Sequence, residues 1–175
     1  MREAHQDIRV WDPFVRFFHW SLLLAYLVAW ISAEEWASLH EQSGYYIMVL
    51  IGLRLVWGLV GSRYALFSDF LAGPRVTIAY LRALAGRRAA RYLGHNPAGG
   101  WMIMALLFSL LGVAISGLLI GADGVWEELH EGLAALSLTM VVVHVIAVLL
   151  ASALHEENLI GAMLSGTKPR RGSDV

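Results

Sequence analysis

Four long apolar runs, near residues 14–33, 44–61, 101–121 and 133–154, constrain what this 175-residue chain can become. Each is close to the ~20 residues that cross a bilayer as helix. The composition agrees, being 58% hydrophobic and 15% charged, where soluble domains average about 25% charged. The expectation is an all-α integral membrane four-helix bundle forming one domain over residues 1–175, with lipid as its surroundings. Nothing in the pattern points to nucleic acid.

Charge gives the bundle an orientation. Arg2, Arg9 and Arg16 precede or begin the first run, and Arg63, Arg75, Arg82, Arg87, Arg88 and Arg91 lie between the second and third. Lys168, Arg170 and Arg171 follow the fourth, so twelve of the thirteen basic residues fall on one side. The other two connections carry Glu34, Glu35, Glu41, Asp123, Glu127 and Glu128 and no basic residue. By the positive-inside rule both termini and the long middle loop are cytoplasmic. A cleaved signal peptide ending near Ile31, Ser32 and Ala33 is the competing reading of the first run. The acidic residues Glu3, Asp7 and Asp12 among its leading arginines argue against that.

The middle loop is too long to be structureless in a compact protein. After Gly73 and Pro74, the residues Val76, Ala79, Tyr80, Ala83 and Leu84 recur at helical spacing among four arginines. This predicts an amphipathic helix lying in the inner headgroup region between helices two and three. The turn Gly94-His95-Asn96-Pro97 leads into helix three. The tail beyond helix four reads as polar, basic and partly mobile. The tryptophans fall mostly near span ends, where an aromatic belt is their default role.

The absence of cysteine excludes disulfides, thiolate metal sites, iron-sulfur clusters and covalent haem attachment. Histidines are the chemistry that remains. His130 and His144 lie fourteen residues apart on the last run, which is roughly 21 Å of helix with the side chains within about 40° of one another. His40 begins the second run on the outer side and His19 enters the first run from the inner side. The four therefore sort into two same-depth pairs, His40 with His130 and His19 with His144. A single membrane histidine is ordinarily an interfacial or packing residue, but paired ones call for a shared partner, with haem iron, a proton path and helix packing as the options. Gly44, one turn after His40, removes a side chain where a planar macrocycle would approach the backbone. Arg54 in the inner half of helix two and Arg16 one turn before His19 are candidates to neutralise propionates, with snorkelling to the interface as the plain alternative. His95 and His155 read first as surface histidines near the inner interface, the alternative being a proton or quinone path, and His5 reads as a tail residue.

Beyond these features, the chain resembles the bacterial cytochrome b561 family, which includes the b-type cytochrome subunits of nickel-iron hydrogenases and superoxide oxidase-like proteins. The resemblance rests on Val10-Trp11-Asp12-Pro13 with Arg16, Phe18, His19 and Trp20, and on His40, Gly44, Tyr45, Arg54, Trp57, Gly58, Gly61, Ser62 and Arg63. Phe67, Asp69 and Phe70, the run Gly94 to Gly100, and His155, Glu157, Asn158, Leu159 and Met163 extend it over almost the whole chain. It implies two non-covalent b haems, the inner held by His19 and His144 and the outer by His40 and His130. It also implies electron transfer between a periplasmic or membrane partner, such as a cytochrome c, and the quinone pool, with ubiquinone as one substrate. Direct oxidation of superoxide or quinol at one face and a haem-free histidine proton transporter are the rival functions. Whether the protein is an enzyme, and whether it forms a homodimer, stay open at this stage. Hydrogenase cytochrome subunits are generally longer than this chain, which argues against a dedicated hydrogenase anchor.

Overall fold

A computed structural model of the chain describes residues 7–121 and 124–170. Its frame is four long helices: α1 Pro13–Ser32, α2 Ala37–Val60, α5 Pro97–Leu119 and α6 Val125–Leu154. All four are long and apolar enough to cross a membrane. Between α2 and α5 lie a short α3, Phe67–Phe70, and the amphipathic α4, Pro74–Ala85. The latter leaves Val76, Ile78 and Leu81 exposed beside its arginines, as an interfacial helix should. The four-helix expectation holds, with α2, α5 and α6 each beginning several residues earlier than the apolar runs suggest. His40 and His130 therefore lie inside helices.

Local sequence explains where the helices begin. Asp12 N-caps α1 by accepting from the Val15 N–H at 2.9 Å, with Pro13 in the first turn. Asn96 does the same for α5 through the Gly99 N–H at 2.8 Å, again followed by proline. Asp12 also accepts from Trp57 Nε1 at 3.0 Å and from the Ser62 hydroxyl, so one carboxylate ties the start of α1 to the end of α2. Burial pushes its pKa up, but the hydrogen bonds from Ser62, Val15, Trp57 and Phe14 outweigh this and hold it below the ordinary carboxylate value.

The core is built from α1, α2 and α5 and contains Phe18, Ala25, Tyr26, Ala29, Ile47, Leu50, Ile51, Leu107 and Leu110. Helix α1 packs along α2, α5 along α6, and α2 joins the two pairs. Helix α6 makes no comparable packing with α1 or α2, and among its residues only Ser137 is fully buried. Its half-buried positions are nevertheless ordered. His130, Leu133, Ala134, Met140, Val141, His144 and Val148 form a stripe with Ser137 at its centre, the heptad spacing of a helix face turned toward partners.

The tail is more ordered than the sequence predicts. Helix α7, Leu159–Ser165, ends at Gly166 with φ +86°. Strand β2, Thr167–Pro169, then pairs antiparallel with β1, Asp7–Arg9. Gly166 also receives the Val10 and Trp11 N–H groups on its carbonyl. The pairing puts both ends of the described chain on one side of the bundle. Glu157 locks this cap: Arg91 grips its two oxygens at 2.9 and 3.1 Å, and Lys168 lies 3.5 Å away, all three side chains being buried. Apolar patterning does not signal this arrangement, because the partners are 66 residues apart in the Arg91–Glu157 case. His5 lies outside the described residues.

Removing the carboxylate should unfasten the cap. The Glu157→Ala change leaves two buried cations without their anion, a loss of about 3–5 kcal/mol for a buried pair. Expected results are a lowered melting temperature in detergent and rapid proteolysis within residues 159–170. Unchanged values on both counts would contradict the cap's role.

Candidate functional site

The outer pair is assembled by the first turns of α2 and α6. The His40 and His130 rings lie with centroids 6.0 Å apart and planes at 81°. His40 Nδ1 is 2.8 Å from the Ala29 carbonyl oxygen, and His130 Nδ1 is 3.0 Å from that of Val113. A carbonyl oxygen only accepts, so each Nδ1 carries the hydrogen and donates it. In a neutral imidazole each Nε2 is then a lone-pair donor. This is how proteins orient histidines that bind metals: the distal nitrogen is fixed by a backbone carbonyl and the other is left to the metal. Ser116 Oγ lies 3.3 Å from the same His130 nitrogen.

Gly117 makes room for this ring. A Cβ placed there would come within 3.1 Å of His130 Cε1 and 3.2 Å of Nδ1, tighter than ordinary contact. Gly112, Gly117 and Gly121 are alike in sequence, as small residues of one apolar run, and only the register of α5 against α6 singles out Gly117. A Cβ at Gly44 would meet nothing within 4 Å.

The inner end has different chemistry. His19 on α1 and His144 on α6 lie within electrostatic reach of each other. Four buried polar side-chain atoms have no hydrogen-bond partner among the described residues: Arg16 Nε, His19 Nδ1, Arg54 Nη1 and His95 Nδ1. All four belong to this end, and such orphans are rare enough in folded proteins to need an explanation. Arg54 is 3% exposed. Its Nη2 donates to the Ala65 carbonyl at 3.0 Å and its guanidinium stacks on Phe67, yet Nη1 bonds nothing. Its guanidinium is thus enclosed by the protein rather than exposed to solvent. Arg16 Nη2 donates to the Leu164 carbonyl of α7, leaving Nε unused.

His95 is not the surface residue the sequence suggests. Its ring packs between Trp11 and Phe70, with centroids 4.6 and 4.7 Å away, and its Nδ1 is enclosed. Burial, followed by the positive charges of Arg54, Lys168, His144 and His19, pushes its pKa down to about 3, so the ring is neutral at physiological pH. The sequence conceals this because Trp11 and Phe70 come from distant segments. His155 closes α6 and is half-buried.

The family model of prokaryotic cytochrome b561 matches residues 10–166. The chain belongs to this family. No curated protein and no solved structure matches it. Membership makes it a multi-pass membrane cytochrome that moves electrons on b-type haem.

The residues at both ends fit such a group. An imidazole nitrogen sits about 2 Å from a metal it ligates, and the ring centre lies roughly 1 Å behind it, so two imidazoles on one iron have centroids about 6 Å apart. The His40–His130 centroid separation of 6.0 Å matches that distance. At the inner end, the orphaned nitrogens of two arginines call for an anion. The nearby imidazoles call for a metal or a hydrogen-bonding partner. A haem brings iron and two carboxylates, and so answers both needs.

Gly117→Ala should test the outer geometry selectively. The added methyl would press on His130 at 3.1–3.2 Å; on the two-haem reading proposed below, the expected result is loss of haem from the site of His130. The inner site, lying about 21 Å away along α6, should keep its spectrum. Full haem content in this variant would show that the close approach of Gly117 to His130 is dispensable.

Proposed function

We propose that the chain carries two b haems, one near each membrane face, and passes electrons between a redox partner on one side and the quinone pool. His40 and His130 hold the outer haem, and His19 and His144 hold the inner one. Arg16 and Arg54 neutralise the inner propionates, and Gly44 leaves space for the outer macrocycle. The inner end faces the cytoplasm of a bacterium, by the charge bias of the loops. The observation that carries this reading is the outer pair. Two neighbouring imidazoles, with centroids 6.0 Å apart, each have Nδ1–H committed to a backbone carbonyl, which leaves each Nε2 free to ligate a metal.

When bound, haem supplies an iron that cycles between Fe(III) and Fe(II). The protein's part would be to hold the iron with a histidine pair, which would favour electron relay over oxygen binding. The carbonyls of Ala29 and Val113 hold the ring planes, and Arg54 keeps a positive charge at a depth where water is excluded. The same geometry weighs against a haem-free proton relay, since the outer imidazoles have one nitrogen each already bonded to a carbonyl that cannot pass a proton on. The outer connections carry acidic and no basic residues, which favours a basic redox protein there over superoxide.

Purified protein should show a Soret band and, after dithionite, an α-band of b type, with two haems per chain by pyridine haemochrome. His130→Ala and His144→Ala should each retain one haem and lose the other, with different residual spectra. A colourless wild-type protein, or full occupancy in both variants, would refute the ligand assignment. Adding reduced ubiquinone to the oxidised protein should reduce haem in the wild type if the quinone pool is its partner.

A further inference from the structure

Tyr26 and Ser137 meet in the middle of the bundle, where α1 and α6 otherwise make little close contact. Their oxygens are 3.0 Å apart and both residues are buried, Ser137 to 0% exposure. The direction of the bond follows from the neighbours. Ser137 has one hydrogen, and its Oγ donates it to the Ala134 carbonyl at 2.8 Å. Tyr26 must therefore be the donor to Ser137.

The position of this bond is specific. Ser137 is seven residues from His130 and seven from His144, and Tyr26 is seven from His19. Seven residues are about 10 Å of helix and return to within roughly 20° of the same face. The hydrogen bond thus sits midway between the two histidine pairs on the stripe that carries them. Among the described residues, it is the side-chain hydrogen bond that joins α1–α2 to α5–α6 within the apolar layer. The other bonds between spanning helices stay inside one pair: His40 to Ala29 between α2 and α1, and His130 to Val113 and Ser116 between α6 and α5.

We propose that the Tyr26–Ser137 pair is a midplane spacer that sets the separation of α1 and α6, and so positions both histidine pairs at once. The proposal rests on the two-haem reading for its consequences, but the spacing itself belongs to the protein. A phenol is rigid and long enough to cross the gap, and its hydroxyl has to find a partner in hydrocarbon. Without that bond, a closer or wider approach of α6 costs nothing at the midplane, and His144 and His130 shift relative to their partners on α1 and α2.

Two measurements test it. The chain has no cysteine, so spin labels at Leu24→Cys on α1 and Val142→Cys on α6, both exposed positions, report the separation directly by double electron–electron resonance. The wild type should give one narrow distance, and Tyr26→Phe and Ser137→Ala should each broaden it roughly twofold, with the double variant no worse than either because one bond is lost in each case. The second readout is the low-spin ferric resonance and midpoint potential of both haems. Both sites should shift together in Tyr26→Phe and Ser137→Ala, and Ser137→Thr, which keeps a hydroxyl, should restore them. Thr139→Ala removes an exposed hydroxyl of α6 bonded only to its own helix and should change nothing. Identical distances and haem signals in Tyr26→Phe and the wild type would overturn the spacer. If the wild type holds no haem, the two-haem reading fails, and the spin-label distances alone still decide the spacer.

Discussion

The structure depends on a single rule: a polar group within hydrocarbon has to be satisfied by the protein itself. Each functional residue in the spanning helices can be understood by what satisfies it. His40 and His130 give one hydrogen each to carbonyls of the neighbouring helix. Tyr26 gives its hydrogen to Ser137, and Ser137 gives its own to Ala134. Such bonds are individually modest in membranes, about 0.6–2 kcal/mol. Their value lies in direction, because each fixes a ring or a helix in one orientation.

The two ends obey that rule differently. At the His40–His130 end each Nδ1 is satisfied by a carbonyl, and the two rings lie 6.0 Å apart with Gly117 close against His130. The inner end has four enclosed polar atoms without partners, and it is held by the heavier scaffolding. Asp12 ties α1 to α2, Glu157 ties the middle loop to the tail, and β1 and β2 pair the termini. That division makes physical sense. If Arg16 and Arg54 receive haem propionates, as proposed, they gain little until the anion arrives, and a rigid cap keeps them aimed while Nε and Nη1 are unsatisfied.

The spans, the amphipathic α4 and the two histidine pairings were legible because they are written in local periods and in the sums of charges around each run. Hydropathy over ~20 residues marks a helix whatever it packs against, and fourteen-residue spacing carries a face with it. What escaped has no local period. Gly117 looks like any membrane glycine until α6 is set against α5. Tyr26 and Ser137 are 111 residues apart, and neither stands out among other hydroxyl residues in apolar runs. His95 follows a turn signal that ordinarily means surface, and is enclosed only because Trp11 and Phe70 arrive from elsewhere. The tail read as loose because its order comes from pairing with the opposite terminus.

The heptad stripe on α6 unifies these features. His130, Ser137 and His144 are successive positions at seven-residue intervals, and α2 repeats the outer and inner terms with His40 and Arg54, also fourteen apart. An undistorted helix drifts about 20° per heptad, so the two histidines and Ser137 between them share a face with little need for supercoiling. Moving the central residue by one position would turn it about 100° away and leave the phenol of Tyr26 facing hydrocarbon. The same spacing that brings two histidines onto one face of α6 therefore also decides where a bond between the halves can be made.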